Sequence, residues 1–163
     1  MAKKSFFEPI SGFELPRFAG MPTFMRLPHV DLNHDKITEV DIGIIGAPWD
    51  AGTTNRPGPR HGPRQVRDMS TMIRAQHGVS NLRPFDLKNC ADLGDIAPNP
   101  ASLEDSLKRI ESYFSKIKDL NILPLICYEV IFTDFIQKSD ENTNLIINIS
   151  EDGWFGKSIG PDL

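Results

Sequence analysis

Two stretches of this 163-residue sequence gather residue types that can do chemistry. In one, Cys127 stands where the apolar run Asn121 to Ile126 gives way to Tyr128-Glu129-Val130-Ile131-Phe132. A cysteine at a strand end that opens a short helix has its thiolate stabilised by the helix's free N–H groups. Glu129, two residues on, is placed to orient a partner. Cys127 as nucleophile with Glu129 beside it is the candidate catalytic pair, and the plainer reading is that Cys127 is a small buried apolar residue. Cys90 has no such setting and reads as core. The other stretch, Gly46 to Arg67, is rich in Gly, Pro and Arg and carries Asp50, Asn55 and Arg56. It follows an apolar run and precedes a helical one, and in open α/β sheets ligands bind outside the carboxyl ends of strands. Gly52, Gly58 and Gly62 permit tight turns there. Asp50 is placed to anchor the loop on backbone N–H groups or on one of the arginines, and a purely structural loop braced by Arg–Asp pairs is the plainer reading. The spacing matches neither a phosphate-binding P-loop nor a dinucleotide fingerprint.

Elements that would position these residues are legible from the apolar pattern. Residues 41–47, 121–126 and 145–149 are short apolar runs that read as strands, and a further short strand is expected near 88–93. Pro63 suits the first turn of a helix over 63–76, with Val66, Met69 and Ile73 on its apolar face and Gly78 as its stop. Ser102 is an N-cap, with Asp105 three residues on, for a helix over 103–118 whose stripe is Leu103, Leu107, Ile110, Phe114 and Ile117. A further short helix is expected over 129–137. Pro9, Pro16, Pro22 and Pro28 forbid a long helix in residues 1–38, which read as an extended arm packing through Phe18, Met21, Phe24 and Leu27. The alternation predicts an α/β fold with a partial, mostly parallel sheet and flanking helices.

Composition narrows the function classes. Lys and Arg number 18 against 22 Asp and Glu, a net charge of −4 that argues against nucleic acid held on a basic surface. No apolar run is long enough to span a bilayer, and the start lacks the apolar core of a signal peptide, so no membrane partner and a cytoplasmic location are expected. Residues 1–120 carry 16 basic and 15 acidic side chains, whereas residues 121–163 carry 2 and 7. So sharp a shift, with no Gly/Ser linker, asks for two origins.

The loop Gly46–Arg67 resembles the N-terminal signature of the ureohydrolases, the agmatinase and guanidinobutyrase family. Pro16-Arg17-Phe18-Ala19-Gly20-Met21-Pro22-Thr23-Phe24-Met25-Arg26-Leu27-Pro28 is similar to the agmatinase-like branch, and Asn89-Cys90-Ala91-Asp92-Leu93-Gly94-Asp95-Ile96 followed by the 103–118 helix fits the same layout. The resemblance covers about residues 8–120. It implies hydrolysis of linear amidines with release of urea, and a small guanidino substrate. By resemblance Asp50, Asn55 and Arg56 fall at the substrate pocket, where the loop also meets neighbouring subunits, so a homo-oligomer is conceivable. The family's two Mn²⁺ ions activate a bridging water. Their ligand motifs, Gly-Gly-Asp-His, Asp-Ala-His-x-Asp and Ser-x-Asp-x-Asp, do not occur in these 163 residues. Asp92 and Asp95 have no His beside them and read as turn and cap residues, so no metal ligand and no cofactor are assigned.

From Asn121 onward the chain resembles another family. Ile122-Leu123-Pro124-Leu125-Ile126-Cys127-Tyr128-Glu129 is similar to the nucleophile segment of the nitrilase superfamily of carbon–nitrogen hydrolases. Asn144 to Pro161, with Ser150-Glu151-Asp152-Gly153-Trp154-Phe155-Gly156, resembles apolipoprotein N-acyltransferase. In that family the base and the oxyanion lysine precede the cysteine, where this chain carries ureohydrolase-like sequence. The expectation is therefore two incomplete α/β fragments, 1–120 and 121–163, joined near Asp119 to Asn121. Such a chain is by descent a hydrolase of non-peptide carbon–nitrogen bonds, inactive as written. The alternatives are a Cys-dependent carbon–nitrogen hydrolase or acyltransferase fragment and a non-catalytic chimera.

Overall fold

The computed structural model describes residues 6–51, 53 and 57–117, and the backbone of two further strands at 121–126 and 143–149. Six regular elements occur in the described residues: β1 (Ile42–Gly46), α1 (Gly62–Ser70), β2 (Cys90–Asp95), α2 (Leu103–Ser115), β3 (Asn121–Ile126) and β4 (Thr143–Ile149). They fall into two compact units, Met1–Gly46 with Arg64–Gly94, and Ala47–Pro63 with Asp95–Leu163.

In the first unit β2 is the central strand. Its run of Cys90, Ala91, Asp92 and Leu93 is buried, as expected of a strand covered on both faces. β1 pairs along one edge. The other edge takes the arm: Val30 donates to the Asp92 carbonyl at 2.9 Å and Asp92 donates to the Pro28 carbonyl at 3.0 Å. This strand-like addition carries Leu27 and Val30 into the interior, beside a cluster of Phe7, Val30, Ala91 and Leu93 flanked by Ile37, Val40 and Ile45. Burying each of Phe7, Leu27, Val30 and Leu93 favours folding by about 1.5–3 kcal/mol. Gly43 in β1 is required by close approach, because a Cβ there would sit 2.9 Å from Leu93 Cγ.

Two expectations for this unit need correction. The arm packs through Phe7, Leu27 and Val30, while Phe18 and Met21 stand exposed. Phe18 and Met21 lie in the turns of residues 11–22, where the chain makes no backbone pairing with β2. α1 ends at Ser70, well before Gln76 and Gly78. Thr71, Met72 and Ile73 donate three residues back, and the Ser70 and Thr71 hydroxyls bond the Arg67 and Asp68 carbonyls, which tightens and closes the last turn. Val66, Met69 and Ile73 are exposed, so the side of α1 that does the packing is the one bearing Arg67 and Ser70.

In the second unit Ser102 caps α2 as expected, its hydroxyl accepting from the Asp105 N–H at 3.2 Å. The helix stops at Ser115, not at 118. The buried residue of α2 is Ser106, whose hydroxyl both accepts from Asn99 N–H and donates to the Asn99 carbonyl at 2.8 Å. Leu103 and Leu107 are exposed. β3 and β4 form a parallel pair, with Ile122 opposite Leu145 and Ile126 opposite Ile149. Pro124, opposite Ile147, donates no ladder bond and is tolerated because β3 has a single partner among the described residues. The expected helix over 129–137 lies outside the described residues. No helix among the described residues is long and apolar enough to cross a membrane.

Candidate substrate-pocket loop

β1 ends at Gly46, and Pro48 prevents its continuation. Four residues past the strand the Asp50 carboxylate is buried. Its Oδ2 accepts from Gly58 N–H at 2.8 Å and from Arg60 N–H at 3.3 Å, and its Oδ1 accepts from the Arg60 guanidinium. The Asp50 carbonyl accepts from Thr53 twice, from the N–H at 3.1 Å and the hydroxyl at 2.9 Å. One side chain thus closes the loop on the Pro59–His61 turn that leads into α1. The Arg60 guanidinium beside it, with the two backbone N–H groups, outweighs desolvation and holds the Asp50 carboxyl down at about 2, below its ordinary 3.8. The same contact pushes Arg60 up.

Beside this brace lies a cavity of about 290 Å³ with Trp49, His61, Pro98 and Pro100 in its wall. Proline and tryptophan give it a stiff apolar lining, and the Asp50–Arg60 pair supplies its polar edge. Asp50 is therefore a framing residue whose acceptor capacity is spent within the loop. Asn55 and Arg56, the other expected pocket residues, lie outside the described residues, as do Cys127 and Glu129. Arg60 is the residue that sequence reasoning did not single out. The signal was present, since an Asp and an Arg ten residues apart and separated by Pro57 and Pro59 are well suited to close a loop on themselves.

A second carboxylate missed as a partner is Asp92. Rather than a turn or cap residue it is a strand residue, buried, receiving Arg67 through two bonds of 2.7 and 2.9 Å. It also accepts from Phe24 N–H at 2.8 Å and Gly94 N–H at 2.9 Å. Burial pushes its carboxyl up, but Arg67 and these N–H groups together pull it below the ordinary range. Cys90 is buried, with its thiol pushed up by burial and by Asp41, so it is core rather than a nucleophile.

The donor sets do not fit a dinuclear metal centre. Asp50 and Asp92 spend their oxygens on arginines and backbone N–H groups. Among the described residues no three His, Cys, Asp or Glu side chains come together as metal ligands.

The sequence profile described as the Arginase family matches residues 40–127, more than half the chain and through the whole of β3. The chain belongs to the Arginase family. Guanidinopropionase of Pseudomonas aeruginosa is 48% identical over 118 residues, covering 72% of this chain and 36% of that protein. Guanidinobutyrase of the same organism is 41% identical over 122 residues, 75% of this chain and 38% of that one. Proclavaminate amidino hydrolase of Streptomyces clavuligerus superposes with a TM-score of 0.58 at 38% identity, over 68% of this chain and 36% of that structure. This Arginase-family chain thus spans little more than a third of the length of the relatives it matches, and its α/β neighbours share the fold of that part.

Proposed function

We propose that this chain carries the substrate-pocket loop of a ureohydrolase-type enzyme, one that hydrolyses the carbon–nitrogen bond of a linear guanidino compound and releases urea. The observation that supports this most is the Asp50 brace: a buried carboxylate, pinned by Gly58 and Arg60, sets the frame of the loop that carries Asn55 and Arg56. In this reading Asp50 shapes the pocket, while Asn55 and Arg56 present polar groups to the substrate. Relatives named for guanidino acids support a guanidino acid over an unsubstituted amidine.

By itself the chain is catalytically incomplete in this proposal. The Mn²⁺ ligand motifs are absent from its sequence, and the buried carboxylates of Asp50 and Asp92 are already paired with arginines. The test is urea release by the purified chain with Mn²⁺ and 3-guanidinopropionate, 4-guanidinobutyrate or agmatine. No urea above the buffer blank is expected, and metal-dependent release would overturn the proposal of an incomplete centre.

A second reading rests on the sequence around Cys127 and on Asn144–Pro161. Residues 121–163 are there a carbon–nitrogen hydrolase-type fragment fused to the first, with Cys127 as its nucleophile and Glu129 as its neighbour. A thiol-reactive acyl donor should then label Cys127 faster than a free peptide thiol. Labelling at the peptide rate returns Cys127 to an inert role.

A further inference from the structure

The first unit contains a groove of about 800 Å³ between the arm and the segment that follows α1, with Arg17, Arg26, Arg74 and Arg83 in its wall. Arg26 is its unusual member. The residue is 7% exposed, and among the described residues its side chain makes one bond, from Nη2 to the Leu15 carbonyl at 2.6 Å. A guanidinium carries five N–H donors and a permanent charge. Burying it with one neutral acceptor and no counter-charge is costly, and such groups are normally paired. The backbone adds to that cost. Met25 and Arg26 are consecutive non-glycine residues in the left-handed region, with φ of 49° and 62°. Strain of this kind persists where the surroundings enforce it and gathers at binding sites.

Arg17 comes to the same place. A Cβ built on Gly12 would lie 3.4 Å from Arg17 Nε and 3.9 Å from Arg26 Nη1, so both guanidiniums converge over one bare stretch of backbone. Arg17 itself is held by a bond from Nη1 to the Met72 carbonyl at 2.6 Å and lines the groove. Arg74 makes no ion pair among the described residues, whereas Arg83 pairs with Asp86 at 3.2 Å. Glu8 is the acidic side chain of the groove, and no ion pair joins it to these arginines. Asp68 lines the neighbouring cavity of about 250 Å³, which Arg17 and Arg26 also border.

We propose that this groove binds a small oxoanion, a carboxylate or a phosphate, on Arg17 and Arg26, with Arg74 at its mouth. The site is built from residues of the first unit, and the proposal does not depend on the function proposed for the Asp50 loop. Forked guanidiniums suit the paired oxygens of such groups.

The experiment is calorimetric titration of the full chain at low ionic strength with succinate and, separately, inorganic phosphate. Binding of either anion is expected, and which one binds decides the chemistry of the ligand. Arg17→Gln, a partly exposed change that leaves the core alone, should weaken binding about tenfold or more. Arg64→Gln, an exposed position on α1 outside the groove, should leave binding unchanged. No binding of either anion up to about 10 mM overturns the proposal. So does an Arg17→Gln chain that binds like the parent, or an Arg64→Gln chain that loses as much, since the latter would mean general attraction to cationic surface.

Discussion

Arg67 Nε lies 2.7 Å from Asp92 Oδ2 and its Nη2 lies 2.9 Å from Oδ1, so a helix side chain and a strand side chain 25 residues apart form a two-bond ion pair. The pair is almost dry, with the side chains 12% and 1% exposed. Nη2 also reaches the Gly94 carbonyl at 2.9 Å, and the Asp92 carboxylate holds Phe24 N–H, so the arm, α1 and β2 meet at one charge centre. Removing one member of such a pair leaves the other buried and uncompensated, which typically costs about 3–5 kcal/mol. Arg67→Gln and Asp92→Asn are each expected to lower unfolding stability by that order in urea titrations. The double variant should lose less than the two losses added together. Additive losses would mean that the two residues act separately.

Gly43 and Leu93 make the second relationship worth testing. Gly43→Ala puts a methyl 2.9 Å from Leu93 Cγ, and overpacking of this kind costs about 1–3 kcal/mol. Leu93→Ala gives up packing of its own but removes the crowding atoms, so Gly43→Ala should cost less in a Leu93→Ala background than alone. Equal costs in both backgrounds would show that the crowding is relieved by a shift of backbone instead. Denaturant midpoints of the four chains decide it.

The local code was legible and the long-range partners were not. The strands at 121–126 and near 42–46, the Ser102 cap and the anchoring of the 46–62 loop by Asp50 all follow from residues within about ten positions of one another. Arg67 with Asp92, and Arg26 with Arg17 over Gly12, depend on which segments the fold lays side by side, and no periodicity records that. The apolar pattern also misled in one direction. Val66 and Met69 mark a helix correctly while Ile73 falls past its end, and all three are exposed, because spacing says that a face is apolar without saying what covers it. α1 ends early for a reason that was present in the sequence and outweighed by the apolar stripe, namely Ser70 and Thr71 side by side, each bonding a carbonyl three residues back.

Two serines in α2 should behave differently. Ser102 is a surface cap, and Ser102→Ala removes one acceptor for Asp105 N–H, an exchange worth about 1 kcal/mol. Ser106 is fully buried and serves both the N–H and the carbonyl of Asn99. Ser106→Ala leaves the Asn99 N–H without its acceptor, at about 1–3 kcal/mol, while the Asn99 carbonyl keeps its bond from Ser102 N–H. The larger loss is therefore expected at Ser106, although both changes delete the same hydroxyl. Thermal unfolding of the two variants side by side checks the order, and a larger effect at Ser102 would refute it.

The Asp50 brace predicts how the loop responds to acid. Its carboxyl sits at about 2 in the folded loop against an ordinary 3.8, so the folded state favours the charged form. The unfolded chain binds the proton more readily, and the brace's contribution is complete above 3.8, falls as pH drops toward 2 and is absent below that. Gly58 N–H, which donates to Asp50 Oδ2, is the local reporter, and its protection from hydrogen exchange, corrected for the intrinsic rate, should fall through that window. Asp92 is shifted the same way, but Phe24 N–H reports on it, so the two carboxylates are distinguishable. In Asp50→Asn the Gly58 protection should be low already at neutral pH and flat across the acid range, because a neutral amide cannot hold Arg60 as the carboxylate does. Full Gly58 protection in that variant, or loss of protection in the parent well above 3.8, would show that something other than the Asp50–Arg60 contact keeps the loop closed.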